Sequence, residues 1–193
     1  MALDEQQYLQ IADFVFELAQ LRRVKREGYR LAGVGAPESV ADHSLRTSQL
    51  AFILAKLENA PRPQDSCVAA LFHELGECRV GDLHTIAKNY VTPDEQAVVR
   101  DQTAPLGALG SKIMQAWACA EVGDCAENKI VNDADELEMA FTTRELAVEG
   151  HKVAERFMNN AGERLKTPVA KALFEQLKQS DPQEWHCGLG NKK

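Results

Sequence analysis

The segment CVAALFHELGECRVGDLHTIAKNY, residues 67–90, sets His73 and Glu74 side by side in an apolar, alanine-rich run, with Glu77 one helical turn further on. Neutral imidazole is the commonest metal ligand, and hard or borderline divalent cations take carboxylate oxygens beside it. A second histidine, His43 in VADHSLRTSQLAFILAKL, falls on one helical face with Val40, Leu50, Ala51 and Leu54, so its ring should point inward. His73 shares a face with Ala69, Ala70 and Val80. A single buried histidine is more often a hydrogen-bonded core residue than a ligand; two on separate apolar helices, one followed directly by an acid, favour a shared cation. A further acid would complete the set. In KIVNDADELEMAFTTREL, Asp133 lies near Ile130, Leu137 and Ala140, whereas Asp135 lies near Val131, Met139 and Thr142. Periodicity does not choose between them, and the plainer alternative is one solvated acid and one that caps a backbone or pairs with Lys129. Glu77 can converge with His73 and Glu74 on one patch. Carboxylates crowded near a cation are suited to orienting or deprotonating water whose pKa the metal lowers. The competing role for Glu77 is a surface salt bridge with Arg79, which its neighbours Leu75, Cys78 and Val80 disfavour. Gly81 then bends the chain and leaves Asp82 just past the helix end.

Helices must position these groups. From Asp4 onward, Tyr8, Ile11, Val15, Leu18 and Leu21 recur at spacings of three and four, an amphipathic stripe facing a core. REGYRLAGVGAPES is broken by Gly28, Gly33, Gly35 and Pro37 into a loop. Ser39 with Asp42 is an N-cap pattern that starts a helix near Val40, running to about Leu57. SCVAALFHELGECR has the length and alanine content of a buried helix. Thr92, Pro93 and Glu95 mark another start, with proline at the first position. APLGALGSKIMQAWACAEV and CAENKIVNDADELEMAFTTRELAVEG read as two more helices, and Thr167-Pro168 opens the last, VAKALFEQLKQ. No alternating stretch is long enough for a strand and no repeat is present. The expectation is an all-α, single-domain helical bundle of six to eight helices spanning residues 1–193.

The chain of 193 residues is long enough to bury one core without staples. Its formal charge of −7 and scattered basic residues argue against extended nucleic acid as a partner, although Arg22, Arg23, Lys25, Arg26 and Arg30 cluster and can grip a small anion. The start, MALDEQQYLQIADF, lacks the pattern of a secretory leader, and no stretch approaches the ~20 apolar residues of a membrane span. A cytoplasmic protein with no membrane association is expected. Five cysteines, Cys67, Cys78, Cys119, Cys125 and Cys187, contain no C-x-x-C pair and are odd in number, which argues against a disulfide framework and for free thiols.

ESVADHSLRTSQLAFILA, LFHELGECRVGDLHT and IVNDADELEMA arrive in an order that resembles the HD-domain phosphohydrolase superfamily, specifically its 5'-deoxynucleotidase branch. The match runs from about Leu21 to Leu146. The resemblance implies a bundle of helices around one divalent cation held by His43, His73, Glu74 and Asp135, with Asp133 a neighbour. Two departures stand out: Asn132 replaces a usual lysine, and Glu74 replaces the usual aspartate. The extra methylene moves that carboxylate by ~1.5 Å, more than hard-cation sites tolerate without a shift of helix, metal or denticity.

The resemblance further places Glu77 at the hydrolytic water, Asp82 beside the sugar or proton path, and Arg26 at the phosphate, with Lys88 assisting and Thr85 in the same GDL-x-T turn. His84 stands where relatives often have proline. The implied activity is metal-assisted hydrolysis of (deoxy)nucleoside 5'-monophosphates, with Mn, Co, Fe, Ni or Zn as the cation and a homodimer as the assembly. Two other functions fit the same residues: a nucleotide-binding protein impaired by the Glu74 change, and a phosphodiesterase or guanosine-polyphosphate hydrolase, which the short chain disfavours.

Overall fold

Asp4 opens the first helix, α1 (Glu5–Leu18), by accepting from the Gln7 N–H while the Gln7 side chain bonds back to the Asp4 N–H. A 3-10 turn leads to the short α2 (Glu27–Leu31) and the long α3 (Val40–Leu57). Then follow α4 (Pro63–Phe72), α5 (Glu77–Val80), α6 (Glu95–Thr103), α7 (Ala108–Glu121), α8 (Asn128–Val148), α9 (Ala154–Arg164) and α10 (Pro168–Leu177). The structure, a computed structural model, describes residues 3–187 apart from 124, 126, 152 and 153, together with 189. Among the described residues there is no strand, only an isolated bridge between Lys25 and Ser39. The all-α expectation therefore holds. No helix among them is long and apolar enough to cross a membrane.

Helix starts follow the cap chemistry. Ser39 and Asp42 form the expected reciprocal cap at the head of α3, and Thr167 accepts from the Ala170 N–H at the head of α10. Where two caps competed, the stronger one won: Asp94, not Thr92, caps α6 and accepts from the Ala97 N–H, which leaves Pro93 outside the helix. The expected helix over residues 66–79 is divided. His73 Nδ1 lies 2.6 Å from the Ala70 carbonyl, and the chain tightens into i to i+3 bonds from Phe72 to Leu75 and from Glu74 to Glu77. His73 and Glu74 thus sit in the turn between α4 and α5 rather than mid-helix. The segment expected as one helix from Ala104 is likewise split at Gly107, whose φ is +58°. A Cβ on Gly110 would lie 1.8 Å from the Thr103 carbonyl oxygen, so the α6–α7 corner closes only over glycine. The periodicity reading passed over α9, whose polar sequence contributes, among its described side chains, Met158 and Ala161 as buried apolar residues.

Two apolar clusters hold the bundle. The larger joins α3, α4, α8, α9 and α10 through Leu50, Leu54, Ala70, Val131, Leu137, Ala161 and Phe174. The smaller gathers Phe14, Leu75, Val99, Ile113 and Trp117. The stripe expected on α1 is corrected here: Phe14 is its buried residue, while Tyr8 and Val15 are more than half exposed. This helix packs into the smaller cluster along one narrow edge, through Phe14 and Leu18, so burial follows Phe14, Leu18 and Leu21 and leaves the flanking apolar residues in solvent.

The cysteine expectation is also corrected. Cys119 and Cys125 form a disulfide, while Cys67, Cys78 and Cys187 are free. The end of α7 and the turn into α8 bring the two Cα atoms to 5.5 Å, within bridging reach. A local staple of this kind needs neither an even cysteine count nor a C-x-x-C spacing.

Candidate metal centre and its pocket

The two histidines come from different elements, one from the first turn of α3 and the other from the turn that follows α4. His43 is fully buried and His73 nearly so. Their Nε2 atoms face each other at 3.3 Å. Asp135 Oδ1, from α8, stands 3.0 Å from His43 Nε2 and 3.9 Å from His73 Nε2. Each ring is pinned through its other nitrogen: His73 Nδ1 to the Ala70 carbonyl at 2.6 Å, His43 Nδ1 to Glu138 Oε2 at 2.5 Å. Both Nδ1 atoms face acceptors, so in the neutral rings both Nε2 lone pairs point at the same small space as the Asp135 carboxylate.

Three lone-pair donors do not converge without a positive charge among them. Ligand distances of ~2.1 Å around one cation imply ligand-to-ligand edges of roughly 3.0–3.4 Å; two edges of the triangle, 3.0 and 3.3 Å, match, and the third, 3.9 Å between Asp135 and His73, is longer. His43, His73 and Asp135 can therefore hold a divalent cation. In the protein alone a proton serves instead. Burial and Arg26 oppose charging of His43, but hydrogen bonds to Asp135 and Glu138 outweigh them and raise its pKa to about 10. Burial likewise works against ionising Asp135, yet the bond from His43 and the charges of both histidines hold its carboxyl well below the usual range.

Glu74 occupies the border of this cluster. Its Oε1 lies 3.5 Å from His73 Nε2 and 3.8 Å from His43 Nε2, and it also receives Arg26 Nη1 at 3.1 Å. Despite burial, the two imidazoles and Arg26 keep its carboxyl below the ordinary value. Arg26 is held by this ion pair and is the only member of the basic cluster to face the site; Arg30 turns away to Glu27.

In front of the cluster lies a pocket of ≈ 220 Å³. Arg26, Glu74, Glu77, Asp82, Thr85, Lys88 and Asp135 all line it, so the residues that the resemblance assigned to the site, apart from the two deeper histidines, reach this one cavity. Glu77 is 5% exposed, and its Oε2 has no hydrogen-bond partner. Arg79 instead pairs with Glu17, so the surface salt bridge does not form. Burial first, then the charges of Glu74 and Asp82, push the Glu77 carboxyl up to about 9. Gly81, with φ +74°, turns the chain out of α5, and Asp82 Oδ2 accepts from the Glu27 N–H at 2.5 Å. His84 lines the same wall, its Nδ1 accepting from the Ala87 N–H.

Asp133 and Asp135 are separated by the fold. Asp133 is fully buried and accepts from the Lys166 and Thr167 N–H groups at 2.8 and 2.6 Å, tying α8 to the start of α10. It is the capping acid of the pair. Residues that the sequence reading missed are Glu138 and Arg46. Each stands three positions after a member of the cluster, Glu138 after Asp135 and Arg46 after His43, a spacing that puts them on the same helical faces. Arg46 binds Glu138 Oε1 through Nε and Nη2 at 2.9 and 2.8 Å. A larger cavity of ≈ 660 Å³ lies between α4 and α7. Arg62 there pairs with Asp65 and Glu127, and of the Cys119, Cys125 and Glu127 group that lines it the two sulfurs are tied up in the disulfide.

The model of the HD-domain family matches residues 18–178. The chain belongs to the HD-domain family. It is 30% identical over 178 residues to the 5'-deoxynucleotidase HDDC2 of Xenopus laevis, covering 86% of this chain and 87% of that one. A genomics target of known crystal structure superposes with a TM-score of 0.75 at 32% identity, over 91% of this chain and 98% of the other. A protein named as a predicted metal-dependent phosphohydrolase, from Magnetospirillum magnetotacticum, shares the fold with a TM-score of 0.67 at 19% identity, over 91% and 92% of the two chains.

Proposed function

We propose that the chain is a metal-dependent phosphomonoester hydrolase that converts nucleoside 5'-monophosphates, deoxyribonucleotides by preference, to nucleoside and phosphate. The observation that carries this reading is the meeting of His43 Nε2, His73 Nε2 and Asp135 Oδ1 behind a pocket walled by Arg26, Lys88 and the partnerless Glu77 carboxyl. The relatives named 5'-deoxynucleotidases support the substrate class. His43, His73 and Asp135 would hold the cation, with Glu74 as the fourth ligand. When bound, a divalent cation at these residues supplies Lewis-acid charge and lowers the pKa of water.

The chain's own groups do the remaining work. Beside a cation held by His43, His73 and Asp135, the Glu77 carboxyl would favour its ionised form, and Glu77 Oε2, free of protein partners, would then take the proton of the attacking water. Asp82, held by the Glu27 N–H, would lie beside the sugar or the proton path. Arg26 gives one N–H to Glu74 and has further donors in its planar fork for phosphoryl oxygens. Lys88 adds a second positive charge and Thr85 a hydroxyl on the same wall. These groups stabilise negative charge growing on the phosphoryl group, the principal need of such a transfer. A homodimer in the cytoplasm, using Mn, Co, Fe, Ni or Zn, completes the proposal.

Phosphate release from ribo- and deoxyribonucleoside monophosphates, measured with several divalent metals for wild type and Glu77→Ala, tests it. Activity should require metal and fall at least a hundredfold in the variant, in line with loss of a proton-transfer group. Equal release by both proteins removes Glu77 from the mechanism. A second reading, a nucleotide-binding protein without turnover, draws on the Arg26–Glu74 ion pair, which engages a ligand and a phosphate-binding group with each other. A purified chain that recruits no stoichiometric manganese or cobalt would favour that second reading.

A further inference from the structure

We infer that Glu138, clamped by Arg46 and Thr142, is the positioning residue that fixes which nitrogen of His43 is open to the metal and so sets the metal affinity of the site. The inference rests on the metal reading above. Glu138 is fully buried, touches neither the pocket nor the other ligands, and has no role in the proposed chemistry. Its two oxygens are used differently. Oε1 accepts from Arg46 Nε and from the Thr142 hydroxyl, each at 2.9 Å, and pairs with the Arg46 charge at Nη2, 2.8 Å away. Oε2 lies 2.5 Å from His43 Nδ1.

A carboxylate has only acceptors to offer, so in the neutral ring, the form that binds a metal, His43 Nδ1 must carry the proton and Nε2 keeps its lone pair toward His73 and Asp135. His73 meets the same need with a neutral carbonyl, that of Ala70. His43 alone has an anionic partner, which also raises the basicity of its ligating nitrogen. Arg46 is anchored in turn: Nη1 binds Glu145 Oε1 at 2.8 Å, and Nη2 donates to Thr142 Oγ1. The clamp joins α3 to α8, the two helices that supply His43 and Asp135, so it holds ring rotation and helix register together.

The arrangement makes an amide a specific fault. With Arg46 and Thr142 claiming the side-chain oxygen, the –NH2 of a glutamine would face His43 Nδ1 and force the proton onto Nε2, directed into the metal site. A purely structural ion pair would not care which nitrogen of His43 was protonated.

Competition titration of Co²⁺ against a chromophoric chelator, on the full chain, separates the two roles, with melting of the metal-free protein as a control. Glu138→Gln should weaken Co²⁺ binding about tenfold to a hundredfold, and Glu138→Asp should restore part of that loss. Co²⁺ binding by Glu138→Gln within twofold of wild type, with or without a lower melting temperature, overturns the inference. Should Glu138→Gln fail to fold, Arg46→Lys decides: it keeps the charge and loses the two-point grip, so weaker Co²⁺ binding supports the inference and unchanged binding overturns it. A wild-type chain that binds no Co²⁺ removes the metal reading itself, and this inference with it.

Discussion

Replacing Glu77 with glutamine should abolish turnover and, at the same time, stabilise the metal-free protein in a pH-dependent way. The side chain is 5% exposed. Burial, then Glu74 and Asp82, with Glu95 adding and Arg26 opposing, lift its carboxyl from an ordinary 4.5 to about 9. A raised pKa means that the folded chain holds a proton which the unfolded chain releases above pH 4.5. Stability present below pH 4.5 is therefore lost progressively as pH rises towards 9. Each pH interval of one costs about 1.4 kcal/mol while this holds, so the native state at pH 7 is weakened by up to about 3 kcal/mol. Glutamine keeps the shape and never ionises, so it avoids this penalty. For a chain of this length, 3 kcal/mol corresponds to roughly 6–12 °C in melting temperature. Thermal melts of chelator-treated wild type and Glu77→Gln at pH 5, 7 and 8.5 should show a gap in favour of the variant that widens with pH. A gap that stays flat, or a wild type more stable than the variant at pH 8.5, would refute the account of Glu77 as a carboxyl held in its neutral form by burial and like charge.

Two further outcomes follow from the geometry. Glu74→Asp should retain or increase metal-dependent phosphate release, because aspartate is the residue that the resemblance expects at this position; complete loss would mean that the surrounding site is built for the longer acid. Asp133→Ala leaves the Lys166 and Thr167 N–H groups without their acceptors and should cost about 2–4 kcal/mol in urea unfolding, with Co²⁺ affinity unchanged. Loss of Co²⁺ binding there, with Asp135 intact, would reverse the roles assigned to the two aspartates.

The helices that carry the site were legible because their signals are local. Ser39 with Asp42 and Thr167 with Pro168 each fix a start by a cap that involves only neighbouring residues. The inward face of α3, with His43 beside Val40, Ala51 and Leu54, followed from spacing alone. Where long-range packing decided, the pattern misled. The stripe on α1 reads as a full core face, yet the helix is offered only a narrow partner and Tyr8 and Val15 stay in solvent. The break at His73 arises from a side chain competing for a backbone carbonyl, which no hydropathy pattern registers. Asp133 and Asp135 are equally plausible ligands on a helical wheel; only the position of the loop before α10 shows that one of them is needed as a backbone acceptor. Glu138 looked like an ordinary helix acid because its partner Arg46 is 92 positions away in sequence.

The same distance problem bears on Glu74. In sequence it is a substitution that endangers a metal site; in the fold its longer side chain ends where three groups need an oxygen. Oε1 stands 3.1 Å from Arg26 Nη1, 3.5 Å from His73 Nε2 and 3.8 Å from His43 Nε2. A side chain shorter by ~1.5 Å cannot reach all three from an unchanged backbone. One atom therefore links the cation-binding imidazoles to the arginine that faces the pocket, and Arg26 owes its position to Glu74 as much as to its own loop. Removing the carboxylate, as in Glu74→Ala, then acts on two functions together, metal retention and phosphate recognition, whereas Glu74→Asp keeps an oxygen for the cation and gives up only the simultaneous reach. The two parts are separable in kinetics, because weaker metal binding is corrected by saturating metal, whereas a displaced Arg26 leaves KM elevated however much metal is supplied.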